Sequence, residues 1–343
     1  MSHSFHPFYE QIPDALPGPS SLLWKVCISI FLAAVFLAAQ FRFIGDQIFH
    51  DWTWLLDVLI ASALLMLYYA SHTLRDLFPH MDSRLPKSRE QPAEQNYLTR
   101  VRMILRDRNF VIAGLFFGAL NCVMGFVFGV PGNSVMGRIA LFTGFFVVGF
   151  ICGMAALGIF GVLHVIKAFM KASDLEKDYS APDRCGGMLF LGEALVKFSS
   201  ATLVMGVLIA IFIVNFPWTG RANVIVKAFM WFWIAFPFFL SLLVLLAPAA
   251  EINRVLSDYK VDEEDKMDSR LAILRIKIDD PNMPATDREA ARKDYEYYAK
   301  VRSEIYEMRT WPFGISSSVQ YATLFVTNAG AMVWKGVGKL IGL

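Results

Sequence analysis

The sequence carries little charge. Asp, Glu, Lys and Arg make up 18% of its 343 residues, whereas an ordinary soluble domain has about 25%. The charges are unevenly placed, so that several long stretches contain none. Helices that are apolar on all sides are typical of a lipid environment, and the mean hydropathy of +0.46 agrees with this. The net charge of +2 gives no support to nucleic acid as a partner.

The sequence also has few cysteines, and none of the four forms a CxxC pair. This argues against a disulfide framework and against a thiolate metal site. Three of them lie in apolar runs, where we expect them to behave as small hydrophobic residues. The cysteines are Cys27, Cys122, Cys152 and Cys185.

Common catalytic motifs are lacking as well. There is no P-loop, no G-x-S-x-G elbow and no H-E-x-x-H, and no run resembles a potassium selectivity filter. A membrane enzyme would need histidines and acidic groups that converge at one depth, and only His164 with Glu193 approaches this arrangement. The residues therefore favour a protein that is not an enzyme, with no catalytic residue, no metal and no cofactor.

Six apolar runs are long enough to cross a membrane. A spanning helix needs about 20 mostly apolar residues, because the hydrocarbon core is roughly 30 Å thick and a helix rises about 1.5 Å per residue. These runs predict an all-α integral membrane protein with about six transmembrane helices in residues 22–248. The runs are about 22–41, 54–71, 110–130, 139–166, 194–216 and 224–246.

Lysines and arginines predict the orientation. Eight lie between residues 72 and 109 and twelve between 249 and 309, whereas each of the three alternate loops holds one. Cytosolic loops carry the excess of positive charge, so the basic loop 72–109 and both termini are predicted to be cytosolic. Within this loop, the stretch Tyr97–Arg108 is predicted as a basic helix that lies along the inner membrane surface.

A few charged residues lie near the ends of the runs and are predicted as interface anchors. Lys25 is expected to reach the inner headgroups and Lys227 the outer ones. Asp57, at the outer end of the second run, could meet Arg42 or Lys227.

Polar segments flank the spans. Residues 1–21 lack helical periodicity and are predicted as an irregular cytosolic arm. Residues 249–310 are predicted as a cytosolic helical hairpin, with a turn at 279–284 and a capping box of Thr286 and Glu289 that opens the second helix. The C-terminal segment 311–343 is predicted as an interfacial or re-entrant helix, and a seventh span is the alternative for 316–343.

Small residues recur at a spacing of four on the third and fourth runs. Such faces let two helices approach closely in lipid. They indicate either packing of these two helices within the chain or a subunit interface. The glycines are Gly114, Gly118, Gly125, Gly129, Gly149 and Gly153.

The inner ends of the fourth and fifth runs hold the densest group of polar residues, joined by the elbow 181–187. A rigid structural elbow is one interpretation of this group. A glycine-rich turn with a nearby arginine can also present N–H groups to an anion or a lipid headgroup. The candidate ligand-binding residues are His164, Arg184, Gly186, Gly187, Glu193 and Lys197.

Two short segments resemble a known group of proteins. Pro182-Asp183-Arg184-Cys185-Gly186-Gly187, followed by Leu189-Phe190-Leu191-Gly192-Glu193, is similar to a loop of uncharacterised bacterial multi-pass inner-membrane proteins. Those proteins often carry a Trp-Pro-Phe element, which resembles Trp311-Pro312-Phe313. The chain departs from their pattern at Ala181 and Met188. The resemblance implies a bacterial inner (plasma) membrane and names no activity.

Three classes of function fit these observations. A homo-oligomeric channel or pore-type membrane effector is favoured by small-residue helix faces, few deep charges and short outer loops. A transporter and a non-catalytic scaffold that recruits cytosolic partners through 249–310 are the alternatives. The expected partners are the lipid bilayer, further copies of the chain and a cytosolic protein.

Overall fold

The structure is a computed structural model that describes residues 7–16, 21–84, 106–127, 134–171, 177–215, 224–314, 316, 318–328 and 330. Within them all regular structure is helical, and six helices are long and apolar enough to cross a membrane. The predicted all-α membrane class is therefore confirmed. The helices are α1 (Phe8–Ala15), α2 (Ser21–Ile44), α3 (Gln47–His50), α4 (Leu55–Ser83), α5 (Asp107–Val127), α6 (Val135–Met170), α7 (Leu189–Asn215), α8 (Val224–Asp279), α9 (Ala285–Tyr306) and α10 (318–328).

The second span is longer than its apolar run. α4 continues from Leu55 to Ser83, into the loop predicted from residue 72 onwards. Leu74, Leu77 and Met81 recur at helical spacing and are buried in one cluster with the end of α6. These contacts stabilise the helix beyond residue 71, where the uninterrupted apolar run ends. The stretch Tyr97–Arg108 falls largely outside the described residues.

Part of the N-terminal arm is helical, which corrects the prediction of an irregular arm for the residues that the structure describes there. Residues Phe8–Ala15 form α1, which packs against α2. A helix this short is unstable alone. Contacts with α2 and α4 stabilise it, and these could not be inferred locally.

The glycine faces pack α5 against α6. A Cβ added to Gly149 would lie 2.7 Å from the carbonyl oxygen of Phe117, and one added to Gly153 would lie 2.5 Å from that of Ala113. Gly114 and Gly118 face phenylalanines of α6 in the same way. These faces are therefore covered within the chain. Gly125 is buried on α5, and Gly129 lies outside the described residues.

The polar hairpin is a continuation of the sixth span. α8 runs through 56 residues from the apolar zone into the charged segment without a break, and α9 packs back against it. Met267, Val301 and Ile305 form the small core between the two arms. A single continuous helix thus joins the membrane part to the hairpin.

The predicted capping box at the start of α9 is wrong. The residue before the helix is Pro284, which makes no side-chain cap, and the hydroxyl of Thr286 donates to the neighbouring Asp287. Arg288 instead donates to the carbonyl oxygens of the preceding turn, among them that of Asp280 at 2.9 Å. The turn itself lies where the sequence predicts it.

α10 lies along α8 at the level of the apolar zone. The hydroxyl of Tyr321 is 2.7 Å from that of Ser241, and the rings of Phe325 and Phe238 are 6.2 Å apart. The described part of the C-terminal segment therefore enters the bundle, as the re-entrant and spanning alternatives require. Residues 331–343, which separate these two alternatives, lie outside the described residues.

Candidate functional site

The elbow before α7 is organised by one carboxylate. Oδ1 of Asp183 accepts hydrogen bonds from the backbone N–H groups of Cys185 (2.9 Å) and Gly187 (3.0 Å), and Oδ2 accepts one from that of Leu189 (3.1 Å). Backbone N–H groups that could bind an external anion are thus occupied by the chain's own anion. The sequence does not show that one side chain accepts from all three N–H groups.

Left-handed backbone makes this turn possible. φ is +52° at Arg184, +61° at Gly186 and +77° at Gly187, a region that favours glycine. The guanidinium of Arg84, at the end of α4, lies against Gly187, where an added Cβ would require this side chain to move. The elbow is therefore in contact with the end of α4.

The Trp-Pro-Phe element docks on the elbow. The carbonyl oxygen of Trp311 accepts from the Cys185 thiol at 3.5 Å, and the Arg309 N–H donates to the carbonyl oxygen of Arg184 at 2.6 Å. Pro312 lies directly on Gly192. Burial and then the nearby charge of Asp183 raise the pKa of the Cys185 thiol to about 12. The two segments that carry the sequence resemblance are therefore one structural unit.

The remaining predicted ligand residues are not part of this unit. His164, Glu193 and Lys197 are exposed on the sides of α6 and α7, and Nδ1 of His164 is 2.8 Å from the carbonyl oxygen of Phe160. The elbow brings together only Arg184, Gly186 and Gly187. Within the described part of the chain, no group of three or more His, Cys, Asp or Glu residues could hold a metal ion.

A buried ion cluster lies where α1 meets α2 and α4. Glu10 is fully buried and pairs with Lys25 at 3.1 Å and with Arg75. Asp14 lies 3.6 Å from Lys25 and 3.8 Å from Arg75. Lys25 is 6% exposed and lies over the ring of Tyr68, so it does not reach the headgroups, contrary to the prediction. The sequence does not indicate Glu10 as the partner of Lys25, because it predicts no helix in the N-terminal arm.

Asp57 has a different partner from those predicted. It is buried at the start of α4 and accepts a hydrogen bond from Nε2 of Gln40 at 3.0 Å. Arg42 and Lys227 are exposed, and neither forms an ion pair with it in the described part of the chain. Because Gln40 is uncharged, a rule that pairs opposite charges does not identify it as the partner of Asp57.

A cavity of about 260 Å³ lies between α4, α5, α6, α7 and α8. Its wall on α7 extends from Phe198 to Ile213, a length of about 22 Å at 1.5 Å per residue. The wall is almost entirely aliphatic and aromatic. Two polar side chains on it already bond to backbone: Asn121 donates to the carbonyl oxygen of Phe145 at 2.7 Å and Thr202 to that of Phe198 at 2.8 Å. The cavity is thus long, apolar and parallel to the helices.

α8 connects this cavity to the hairpin. Trp233, Pro237 and Leu240 of α8 line the cavity, and the same helix continues to the hairpin core at Met267. Pro237 also packs on α7, where a Cβ added to Gly206 would lie 2.6 Å from it.

Comparison of the chain with protein-family models, with curated proteins and with solved structures finds no match. The helices alone support the conclusion that this is a multi-pass membrane protein in contact with a lipid bilayer.

Proposed function

We propose that the protein binds a lipid acyl chain in the cavity between α4 and α8 and that α8 transmits its occupancy to the hairpin. The observation that carries this proposal is the apolar cavity of about 260 Å³. An apolar cavity of about 150 Å³ stays dry and binds benzene, so this one has room for more than a small ring. Binding of an acyl chain is favourable because the chain makes the van der Waals contacts that the lining atoms otherwise lack.

The shape of the cavity supports an acyl chain as the occupant. The cavity extends along the helices for about 22 Å, comparable with half of a hydrocarbon core that is roughly 30 Å thick. Acyl chains in a bilayer lie along the same direction as the helices. The wall offers few hydrogen bonds to a polar ligand, since the amide N–H of Asn121 and the hydroxyl of Thr202 already donate to backbone.

The topology that goes with this function is the one predicted by the basic residues. The N-terminus and the hairpin lie in the cytosol, and the protein is in a bacterial inner membrane. In this arrangement α8, a continuous helix of 56 residues, extends from the wall of the cavity to the cytosolic hairpin.

Co-purification with lipid tests the proposal. Protein extracted in mild detergent should retain a stoichiometric lipid, detected by native mass spectrometry and by extraction. Ala201→Phe should lower the retained lipid at least fivefold, because Ala201 lines the cavity. Val204→Phe is the matched control, since Val204 lies on the exposed side of the same helix. A wild-type protein without bound lipid, or equal retention by both variants, would contradict the proposal.

A scaffold that binds a cytosolic protein is a second candidate. It is favoured by Ile273 and Ile276 on the polar hairpin, which are 55% and 72% exposed. A photocrosslinking residue at position 276 should trap a defined protein in cells, whereas one at Lys293 on the exposed face of α9 should not. Equal crosslinking from both positions would oppose a specific contact.

A homo-oligomeric channel and a transporter stay as predictions from the sequence. The exposed faces of α2 and α5 are apolar in the described residues, with Phe31 70% and Phe116 63% exposed. These two faces are suited to contact with lipid rather than to the lining of a polar pore. Symmetric oligomers in detergent together with ion flux in liposomes would favour the channel over lipid binding.

A further inference from the structure

The pair of Asp57 and Gln40 is a polar site inside the end of the bundle at which α4 begins. Asp57 is 3% exposed and Gln40 is fully buried. They share one hydrogen bond, from Nε2 of Gln40 to Oδ1 of Asp57 at 3.0 Å. Oδ2 of Asp57 and Oε1 of Gln40 are buried and have no hydrogen-bond partner. Two buried acceptor oxygens thus lack a donor.

The packing around the pair is close. α6 covers it at Gly144, where an added Cβ would lie 2.8 Å from Leu56 and 3.5 Å from Nε2 of Gln40. A larger residue at this position would separate α6 from α2 and α4. The pair is therefore enclosed by three helices.

In the part of the chain that the structure describes, no cation pairs with the carboxyl group of Asp57. The charged side chains described at this end of the bundle are exposed, except for that of Asp51, which is half-buried. α7, the remaining helix packed against α4, has no charged residue after Lys197. The exposed groups on α2, α3, α6, α8 and the turn after α2 are Arg42, Asp46, His50, Arg138 and Lys227.

Burying a charged carboxylate in such a place costs much free energy, whereas burying a neutral carboxylic acid does not. Burying an unpaired charge costs far more than burying a neutral polar group, and ionisable groups at membrane depth commonly mark proton or ion sites. A proton on Oδ2 also turns one of the two orphan acceptors into an O–H donor. Gln40 donates to Oδ1 and so orients the carboxyl group with Oδ2 free to take the proton.

We propose that Asp57 is a proton-binding site, protonated on Oδ2 in this conformation and oriented by Gln40. The step is the addition of H⁺ to the carboxylate, and it needs no other reactant. Release of the proton requires water to reach the carboxyl group, which the three enclosing helices exclude in this conformation. Rising pH therefore favours an arrangement in which the carboxyl group is solvated, and falling pH favours the enclosed one. This site does not depend on what occupies the cavity.

Infrared spectroscopy of the purified full chain tests the assignment. Near neutral pH, the wild-type protein should show the C=O stretch of a protonated carboxyl group, lost at high pH and absent in Asp57→Asn. Asp57→Glu keeps a carboxyl group and should shift the band, so the assignment remains testable if Asp57→Asn does not fold. Asp14→Asn is the control, since Asp14 lies beside two cations, and it should leave the band unchanged.

Three results would overturn the proposal. The first is a wild-type spectrum that lacks a protonated carboxyl band near neutral pH. The second is a band that persists unshifted in Asp57→Asn or Asp57→Glu. The third is an alkali-metal site, revealed if sodium or lithium raises the melting temperature of the wild type but not of Asp57→Asn when compared with choline.

Gln40→Leu examines the positioning role of Gln40. It should keep the band but move its frequency, because the hydrogen bond to Oδ1 is removed. An unchanged frequency would show that Gln40 does not orient the carboxyl group.

Discussion

The carbonyl oxygen of Pro312 lies so close to Cα of Gly192 that no other residue could occupy position 192 without displacing it. Gly192 is in the first turn of α7, and Pro312 follows the hairpin by a few residues. This contact joins the beginning of a membrane helix to the segment that leads from the hairpin to α10. It is one of the contacts that fix the hairpin to the bundle, together with those of Trp311 and Arg309 at the elbow.

Gly192→Ala should destabilise the protein. Forcing a methyl group into a closely packed contact costs about 1–3 kcal/mol, which outweighs the gain of up to about 1 kcal/mol that alanine brings to a helix. Gly158→Ala on α6 is the matched control. A Cβ there would meet only Phe110, at 3.7 Å, so this variant should be as stable as the wild type or more so. Thermal unfolding in detergent compares the two, and equal melting temperatures would contradict the contact.

Cys185 should resist alkylation in the folded protein. The thiolate is the reactive form, and burial raises the pKa of this thiol to about 12. In a variant whose other three cysteines are replaced by alanine, maleimide should label Cys185 only after denaturation. Gly192→Leu should make it reactive by displacing the Trp-Pro-Phe element. A single cysteine at the exposed Ser180 serves as the positive control, and rapid labelling of native Cys185 would disprove the docked arrangement.

Glu10→Gln should be costly although it lies near the N-terminus. Removing one partner of a buried ion pair costs about 3–5 kcal/mol, because the other charge stays buried. Among the described residues, Lys25 and Arg75 would then keep only Asp14 as an anionic partner. Glu307→Gln is the comparison, since its pair with Arg184 is largely exposed, and exposed pairs contribute under about 1 kcal/mol.

Thermal unfolding and limited proteolysis distinguish these two variants. Glu10→Gln should lower the melting temperature and expose α1 to cleavage, whereas Glu307→Gln should do neither. Similar small effects from both would mean that α1 is not held by its charges.

The membrane class and the six spans were predictable because both depend on composition alone. A segment such as α5 has no charge after its first two residues, and any helix of that character is placed in lipid whatever its neighbours are. The turn at 279–284 was predictable for a similar reason, since its prolines and aspartates act locally. Local rules failed at Thr286, where three residues earlier or later are equally plausible as a helix start.

The polar contacts were not predictable, because each joins residues that are distant in the chain. Tyr9 bonds to Ser71, and Ser199 and Ser241 bond to each other across α7 and α8 and reach Tyr321. A buried hydroxyl needs a partner, but the sequence does not say which of many partners the fold will bring near it.

By itself, the sequence determined which segments leave water and which remain in it, because the free energy of transfer to lipid is a sum over residues within one segment. Only the tertiary structure decided that Glu10 neutralises Lys25 and that Asp57 is left with an uncharged partner. Those outcomes depend on distances between segments, and a pairwise distance is a property of the packed chain rather than of any stretch of it.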